Sequence, residues 1–377
     1  MNRDAARQSA TKHIAAIIRA TDAGRHRYAR HLLRAYLSRY VVKLDAAYSV
    51  LGANASYEDA SRLARRIDLY APCCVPVLWR PIPKRTQGVR IVCKLPRVLR
   101  AAHLIIQDVL QAVYRPGGHA FNIKRRGRDV EARAIQAAME KGYRYCYVGD
   151  LKDAFQAVNI EALYQLPLPN TVIRNMLDCR NLRLRRVRMD KTTHAIHTNI
   201  NSTKRMPNGP SGLMQGSPVS NLILNWLFDS MPSVLPSDSE VFLFSDNVLV
   251  ATKEEDQCRA VEQTLGQYFL THQAGPFVII GQVEPIESGI ERMGYFYDYS
   301  AIGKKVRIDI SHLNYEKIYT AVEEAIIRDL EAGHSTPVVA ARVLQQKLNG
   351  FSASTEREIF EEAMMQAMHE QLSWARK

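Results

Sequence analysis

The sequence has no run of about 18 consecutive apolar residues, so no membrane-spanning helix and no membrane partner is expected. It opens on MNRDAARQSATKH, which lacks the apolar core of a secretory signal, so export is not expected either. There is no internal repeat and no low-complexity tract. The six cysteines, at 73, 74, 93, 146, 179 and 258, form no CxxC pair, and the adjacent Cys73-Cys74 matches no usual metal spacing. Without an export signal they read as reduced thiols, and a cytoplasmic location is expected. Hydrophobic residues at 46% and charged residues at 24% exclude the disordered and fibrous classes.

Acidic residues are in deficit: 38 Asp and Glu face 51 Lys and Arg, a formal charge of +13 over 377 residues. Lysine and arginine gain by displacing counterions from phosphates, so the excess points to a polyanionic partner. The charge is clustered. Residues 1–45 hold ten Lys and Arg against three Asp, and residues 170–210 hold nine against Asp178 and Asp190. The length allows two or three packed units at about 100–200 residues each.

Residues 1–70 read as basic helices, with apolar positions recurring at helical spacing through Leu32, Leu33, Leu37, Val41 and Leu44. Pro72, Pro76, Pro81 and Pro83 end that pattern. Two short strands, Val75–Trp79 and Val89–Cys93, then suggest a hairpin with the basic tip Lys84-Arg85-Thr86-Gln87-Gly88. Helices are expected at about 97–114 and 129–141, a buried strand over Tyr143–Val148 stopping at Asp150, and a basic ribbon within 170–210. Farther on, a helix is expected from about Val219 to Asp229, a hairpin through Ser245-Asp246-Asn247, a helix over 255–271 and strands over 276–282 and 292–297. Helices over 312–333, 336–349 and 355–375 close the chain.

Two carboxylates stand out, Asp150 at a strand end and Asp246 at a hairpin tip. Side chains held at such points can meet, and two acids brought together suit Mg²⁺, which takes oxygen ligands and brings substrate phosphates with it. A turn Asp is more often a turn former, so the pair alone decides little. His194 and His197 have no cysteine or acid placed to complete a metal site.

The blocks around these acids resemble those of reverse transcriptases. Asp150-Leu151-Lys152-Asp153-Ala154-Phe155 resembles their motif A, and Gly212-Leu213-Met214-Gln215-Gly216-Ser217-Pro218 their motif B. Phe244-Ser245-Asp246-Asn247 resembles motif C, and Arg292-Met293-Gly294-Tyr295 the hairpin that grips the primer. Lys84, Gly88 and Arg90 with Pro96, then Ala120-Phe121 with Arg126-Gly127, resemble the two fingers blocks. The order holds across residues 75–300. The texture is similar to bacterial enzymes related to group II intron and retron reverse transcriptases. No endonuclease, maturase-like or integrase extension is seen, which favours the compact, free-standing kinds, including those of antiphage defence.

The resemblance implies an α+β right-hand polymerase fold: fingers, a palm with an antiparallel sheet, and a helical thumb, preceded by a helical N-terminal region. The expected divisions are 1–70 N-terminal region, 71–142 fingers, 143–300 palm with a basic insertion at 177–210, and 301–377 thumb. It implies RNA-directed DNA synthesis with two Mg²⁺ ions, Mn²⁺ being an alternative, on a structured noncoding RNA. The DNA primer and product, dNTPs, and a second protein or copy of the chain complete the expected partners. Asp150 and Asp246 become the metal-binding acids, Leu151 offers its carbonyl, and Asn247 occupies the catalytic motif beside them. Lys84 and Arg90 would meet the triphosphate, Gln215 and Gly216 would line the nucleotide pocket, and Phe155 would exclude the ribose 2′-OH. Arg125, Arg126, Arg183, Arg185, Arg186 and Arg188 would bind nucleic acid. Plainer readings stand beside these: Phe155 as core, Gln215-Gly216 as a turn, Lys84 and Arg90 as solvated hairpin charges.

Two departures from the family pattern are evident. Asn247 stands where a second Asp is usual, and 271–285 lacks the lysine that many polymerases use to protonate pyrophosphate, with His272 a weak substitute. Two rival readings follow: DNA synthesis without a template or from a protein primer, and a catalytically silent RNA-binding scaffold.

Overall fold

The computed structural model describes residues 2–84, 89–123, 126–187, 209–300, 305–332, 338–355 and 357–374. Arg125, Arg188, His194 and His197 lie outside the described residues. Two compact units form, each from three stretches of chain: residues 1–117, 151–230 and 266–279 make unit one, and 118–150, 231–265 and 280–377 make unit two.

Unit one opens with four helices, α1 (Arg3–Asp22), α2 (His26–Ser38), α3 (Tyr40–Leu51) and α4 (Tyr57–Arg66). Their starts are written locally. Asn2 Oδ1 accepts from the Ala5 N–H at 2.9 Å. Ser56 Oγ accepts from the Asp59 N–H at 3.1 Å and donates to the Asp59 carboxylate at 2.7 Å, a reciprocal cap. Ala6, Leu44, Ala47, Tyr48, Ala60, Leu63 and Ala64 form a shared core between α1, α3 and α4. Small alanines at these positions let the helices approach closely. Helix α5 (Arg97–Val113) packs on α3 and α1 and buries the run Ala101–His103 with Ile105 and Ile106.

Strands β1 (Val77–Pro83) and β2 (Val89–Lys94) pair antiparallel, Pro83 opposite Val89. The unit also holds α7 (Ala154–Ala157), short helical turns over 160–181 and helix α8 (Ser220–Leu227). The expected ribbon differs here. Apolar Ile173, Met176, Leu177 and Leu182 are buried, so the segment before Arg183 coils into helical turns; among the described residues of this stretch only β4 (Leu184–Arg186) is strand, parallel to β1, and 188–208 lie outside the described residues.

Unit two is built on a sheet ordered β5-β6-β3-β7. Its strands are β3 (Tyr145–Lys152), β5 (Glu240–Phe244), β6 (Asn247–Thr252) and β7 (Val278–Pro285). β3 does not stop at Asp150 but runs on to Lys152, two residues past the last pair of its ladder with β6, Asp150 opposite Asn247. A second antiparallel sheet, β10-β9-β8, joins β8 (Ile290–Arg292), β9 (Tyr295–Ser300) and β10 (Lys305–Ile310). The expected single strand 292–297 is thus two strands broken at Met293-Gly294, both at positive φ (52° and 87°). Helix α6 (Arg128–Glu140) packs on β10. Helices α9 (Glu255–Leu270, running from unit two into unit one), α10 (His312–Glu331), α11 (Val338–Leu348) and α12 (Arg357–Trp374) follow. Tyr295, Tyr297, Val306, Ile308, Ile318, Val322, Leu344 and Leu348 belong to one core with Ile135 and Leu249. No described helix is long and apolar enough to cross a membrane.

Candidate active site

In unit two the acids come together through strand register. Asp150 faces Asn247 across the β3–β6 ladder, and Asp246 is the residue before it, in the two-residue loop Ser245-Asp246 between β5 and β6. Ser245 has φ 63°. A positive φ at the first loop residue alone is the pattern of a type II′ hairpin turn. Glycine would be usual there; a left-handed serine costs roughly 1–2 kcal/mol. Strain of this kind persists only where the surroundings hold it, and it gathers at functional turns.

The side chain of Asp150 is exposed and that of Asp246 half-buried. Asn247 Nδ2 donates to Asp246 Oδ1 at 3.3 Å. Leu151, between Asp150 and Lys152 on the same strand, is buried at 1% exposure. Among the described residues no group of three or more His, Cys, Asp or Glu gathers as a metal cluster. The residues here that could hold a metal are two carboxylates, Asp150 and Asp246. That fits Mg²⁺, a hard ion which usually takes one or two carboxylates and completes its shell with water and substrate phosphates.

In unit one the expected nucleotide-side residues are held by backbone contacts. Cys93 N–H donates to the Gln215 carbonyl at 2.8 Å. Gly216 sits at φ 104°, and a Cβ there would stand 2.4 Å from the Cys93 carbonyl oxygen. The glycine is required because two backbones cross. Gly212 does the same against motif A: at φ 61°, its Cβ would meet the Phe155 oxygen at 2.4 Å, and Leu213 N–H donates to that oxygen at 2.6 Å. Phe155 itself, on α7, is 9% exposed. Gln215 Oε1 is buried with no hydrogen-bond partner among the described residues.

His103 anchors the same loop, and sequence reasoning missed it. It is fully buried, with Nε2 2.7 Å from the Met176 carbonyl and Nδ1 2.7 Å from Ser217 Oγ. A carbonyl only accepts, so Nε2 carries the proton and Nδ1 accepts from the serine hydroxyl. Burial pushes the imidazole down to about 4, against the pull of the Met176 carbonyl. Gln107 adds a bond from Nε2 to the Pro218 carbonyl at 2.9 Å. The available signal was a lone histidine within the apolar run Ala101-Ala102-His103-Leu104-Ile105-Ile106.

Lys84 is engaged. Its Nζ lies 2.7 Å from Asp153 Oδ1, and Asp153 occupies a left-handed conformation, φ 51°, just after β3. Arg90 is exposed on β2. Arg183, Arg185 and Arg186 are exposed, with the Arg186 guanidinium 5.7 Å from the Trp79 ring centre. Arg126 instead closes its own loop, donating to the Gly118 and Ala120 carbonyls at 3.2 and 2.8 Å. His272 is held at both nitrogens: Nδ1 accepts from the Ala274 N–H at 3.1 Å, which leaves Nε2 to donate to the Leu227 carbonyl at 3.1 Å. Burial also lowers its basicity. It packs in the aromatic cluster with Phe228, Tyr268 and Phe277.

The reverse transcriptase (RNA-dependent DNA polymerase) family matches residues 82–274, just over half of the chain. The chain belongs to that family, whose members are nucleotidyltransferases. The matched stretch contains both acids, the motif B loop and the β1–β2 hairpin from Ile82 on. A comparison with curated proteins finds no match. Among solved structures, the chain is similar to telomerase from Candida tropicalis in complex with a fragment of telomeric RNA. Identity there is 13%, the TM-score 0.39, and coverage 74% of this chain and 53% of that one. It is also similar to apo telomerase from the same organism, truncated from its C-terminal domain. There identity is 14%, the TM-score 0.36, and coverage 63% and 56%. The chain thus spans little more than half the length of these two proteins.

Proposed function

We propose that this chain is an RNA-directed DNA polymerase that extends a primer 3′-OH with dNTPs. The observation that carries the proposal is the register of β3 and β6, with Asp150 opposite Asn247 and Asp246 at the adjoining turn. In this reading Asp150 and Asp246 hold two Mg²⁺ ions, with the Leu151 carbonyl as a further oxygen donor. Bound there, the ions neutralise charge on the attacking and leaving oxygens of an in-line phosphoryl transfer. The chain's residues position and exclude. Gln215 Oε1, buried and without a partner among the described residues, is an acceptor for a donor on the incoming nucleotide. Gly216 lets that nucleotide approach the backbone. Phe155 closes the space of a ribose 2′-OH. Lys84, released from Asp153, and Arg90 draw the triphosphate. Most of the rate comes from such positioning and electrostatics.

The finer reading follows the expected divisions: N-terminal region 1–70, fingers 71–142, palm 143–300, thumb 301–377. A structured noncoding RNA is the template, gripped through phosphates by Arg125, Arg183, Arg185, Arg186 and Arg188. Arg126 fits this role less well, given its two loop carbonyls. A cytoplasmic role in bacterial antiphage defence, with a second protein or copy of the chain, rests on resemblance alone.

The test is primer extension on RNA with labelled dNTPs, followed by sequencing of the product. A transcript of the RNA is expected. A homopolymer or a product not encoded by the RNA supports untemplated synthesis. No incorporation, with RNA binding intact, supports a silent scaffold.

A further inference from the structure

The mechanism above leaves one fully buried ion pair unused. Arg292 closes β8 and is 4% exposed; Glu131, in the first turn of α6, is 1% exposed. Arg292 Nε and Nη2 both donate to Glu131 Oε1, at 3.1 and 2.6 Å. Nη2 also donates to the Phe242 carbonyl at 3.1 Å and to the Asn247 carbonyl at 3.2 Å. These two carbonyls lie on either side of the strained turn, one on β5 and one on β6. Asn247 in turn donates through Nδ2 to Asp246 Oδ1. A continuous polar path therefore runs from α6 through Arg292 and Asn247 to a catalytic carboxylate.

A buried ion pair is weak evidence for stability, since apolar residues of similar volume often do as well. What apolar residues cannot supply is a planar fork with an Nη2 hydrogen left over for the two carbonyls to share. Glu131 offsets the charge of Arg292, so the guanidinium acts on the hairpin by directed hydrogen bonds rather than net charge. The path also gives the amide at 247 a use. An aspartate there has no donor to offer Asp246 and would place a like charge beside it.

We infer that Glu131 and Arg292 form a positioning unit for the Asp246 hairpin, and that Asn247 transmits it to the Asp246 carboxylate as a hydrogen-bond donor. The inference rests on the polymerase reading for what the hairpin does, but not for the clamp itself.

The informative variant is the double Glu131→Met/Arg292→Met. It removes both charges at similar volume, so melting within a few degrees of wild type is expected, whereas either single change leaves a buried charge alone and melts far lower. The clamp predicts that amide hydrogen exchange across 240–252 rises about 10-fold in the folded double variant. It also predicts that kcat for primer extension falls about 10- to 100-fold, with the dNTP KM moving less. Wild-type exchange and wild-type kcat in a folded double variant would overturn the inference and reduce the pair to packing. Should the double variant fail to fold, Arg292→Lys carries the test, since it keeps the charge and loses the fork; the same rise in exchange is expected. For the amide, Asn247→Asp should lower the rate at every Mg²⁺ concentration, and a rate at or above wild type removes Asn247 from the path. A wild-type chain that incorporates no dNTP refutes the polymerase reading, while exchange across 240–252 still decides the clamp.

Discussion

The Asp246 hairpin and the Gly212–Ser217 loop solve one geometric problem in opposite ways. Both need backbone at positive φ: Ser245 at 63° in the first, Gly212 at 61° and Gly216 at 104° in the second. In the hairpin a side chain is present at the positive-φ position, and Ser245 is 5% exposed. In the loop none is, because a Cβ would stand 2.4 Å from the Phe155 or Cys93 carbonyl oxygen. The hairpin is held from behind by polar side-chain bonds, the loop by backbone crossing and a buried imidazole. Strain is borne at the turn that carries Asp246, and glycine appears where two stretches of backbone must touch.

Breaking the chemical half of the comparison should give the largest effect. Asp150→Ala and Asp246→Ala should each lower dNTP incorporation by roughly 10³-fold or more, and the double variant should be no worse, since residues acting as a unit are not additive. Melting temperature should barely move. Rates that multiply in the double variant would mean that the two acids do not share a site.

Breaking the steric half should act on folding. Gly216→Ala adds both a left-handed alanine and a clash with fixed backbone, and should destabilise by about 3 kcal/mol. Urea unfolding measures this, and a loss below about 1 kcal/mol would mean that β2 can yield.

The imidazole in the loop gives a pH signature of similar size. The folded value of His103 is about 4, below the unfolded 6.5. As pH falls the unfolded chain therefore takes up this proton first, so stability is complete above about 6.5 and declines down to about 4. The loss attributable to His103 is about 3 kcal/mol over that window. His103→Gln keeps a donor and an acceptor and does not titrate, so denaturant midpoints measured against pH should show a shallower acid slope. An unchanged slope would place the acid sensitivity elsewhere.

Phe155 joins the two regions in sequence, five residues after Asp150, with its carbonyl bonded to Leu213. Phe155→Ala should raise rNTP use relative to dNTP use by about 10-fold, within what a shape change in a pocket supplies. Competition assays with paired nucleotides read the ratio, and no change would leave Phe155 as core.

The smallest effect is expected at Asp153, a second left-handed residue outside glycine. Its ion pair with Lys84 is partly exposed, 25% and 42% at the two side chains, so screening limits it to about 1 kcal/mol or less. Asp153→Asn keeps a residue tolerant of that φ and should lower the dNTP KM severalfold by releasing Lys84. A raised KM would show that Asp153 positions Lys84 for the triphosphate rather than competing with it.

Much of the fold was legible locally. The proline-marked boundary after 70 and the helical spacing of 97–114, 255–271 and 312–333 each gave elements within a few residues of those found. The acids were legible too, through their motif order. Less legible was whatever depended on partners distant in sequence. The 170–210 stretch reads as a basic ribbon by charge, but buried Ile173, Met176 and Leu177 coil its beginning into helical turns. His272 reads as a stand-in proton donor until both nitrogens are seen to be bonded.

The sequence by itself determined the membership of this chain in its family, its excess of positive charge, the order of its elements and the two carboxylates. These follow from residue type and spacing, which are local. Only the tertiary structure decided that Asp150 faces Asn247, that Gly216 must lack a side chain, and that Glu131 reaches Arg292 from 161 positions away. Strand register, backbone crossing and buried pairing are set by which distant surfaces pack, and no run of neighbouring residues encodes them alone.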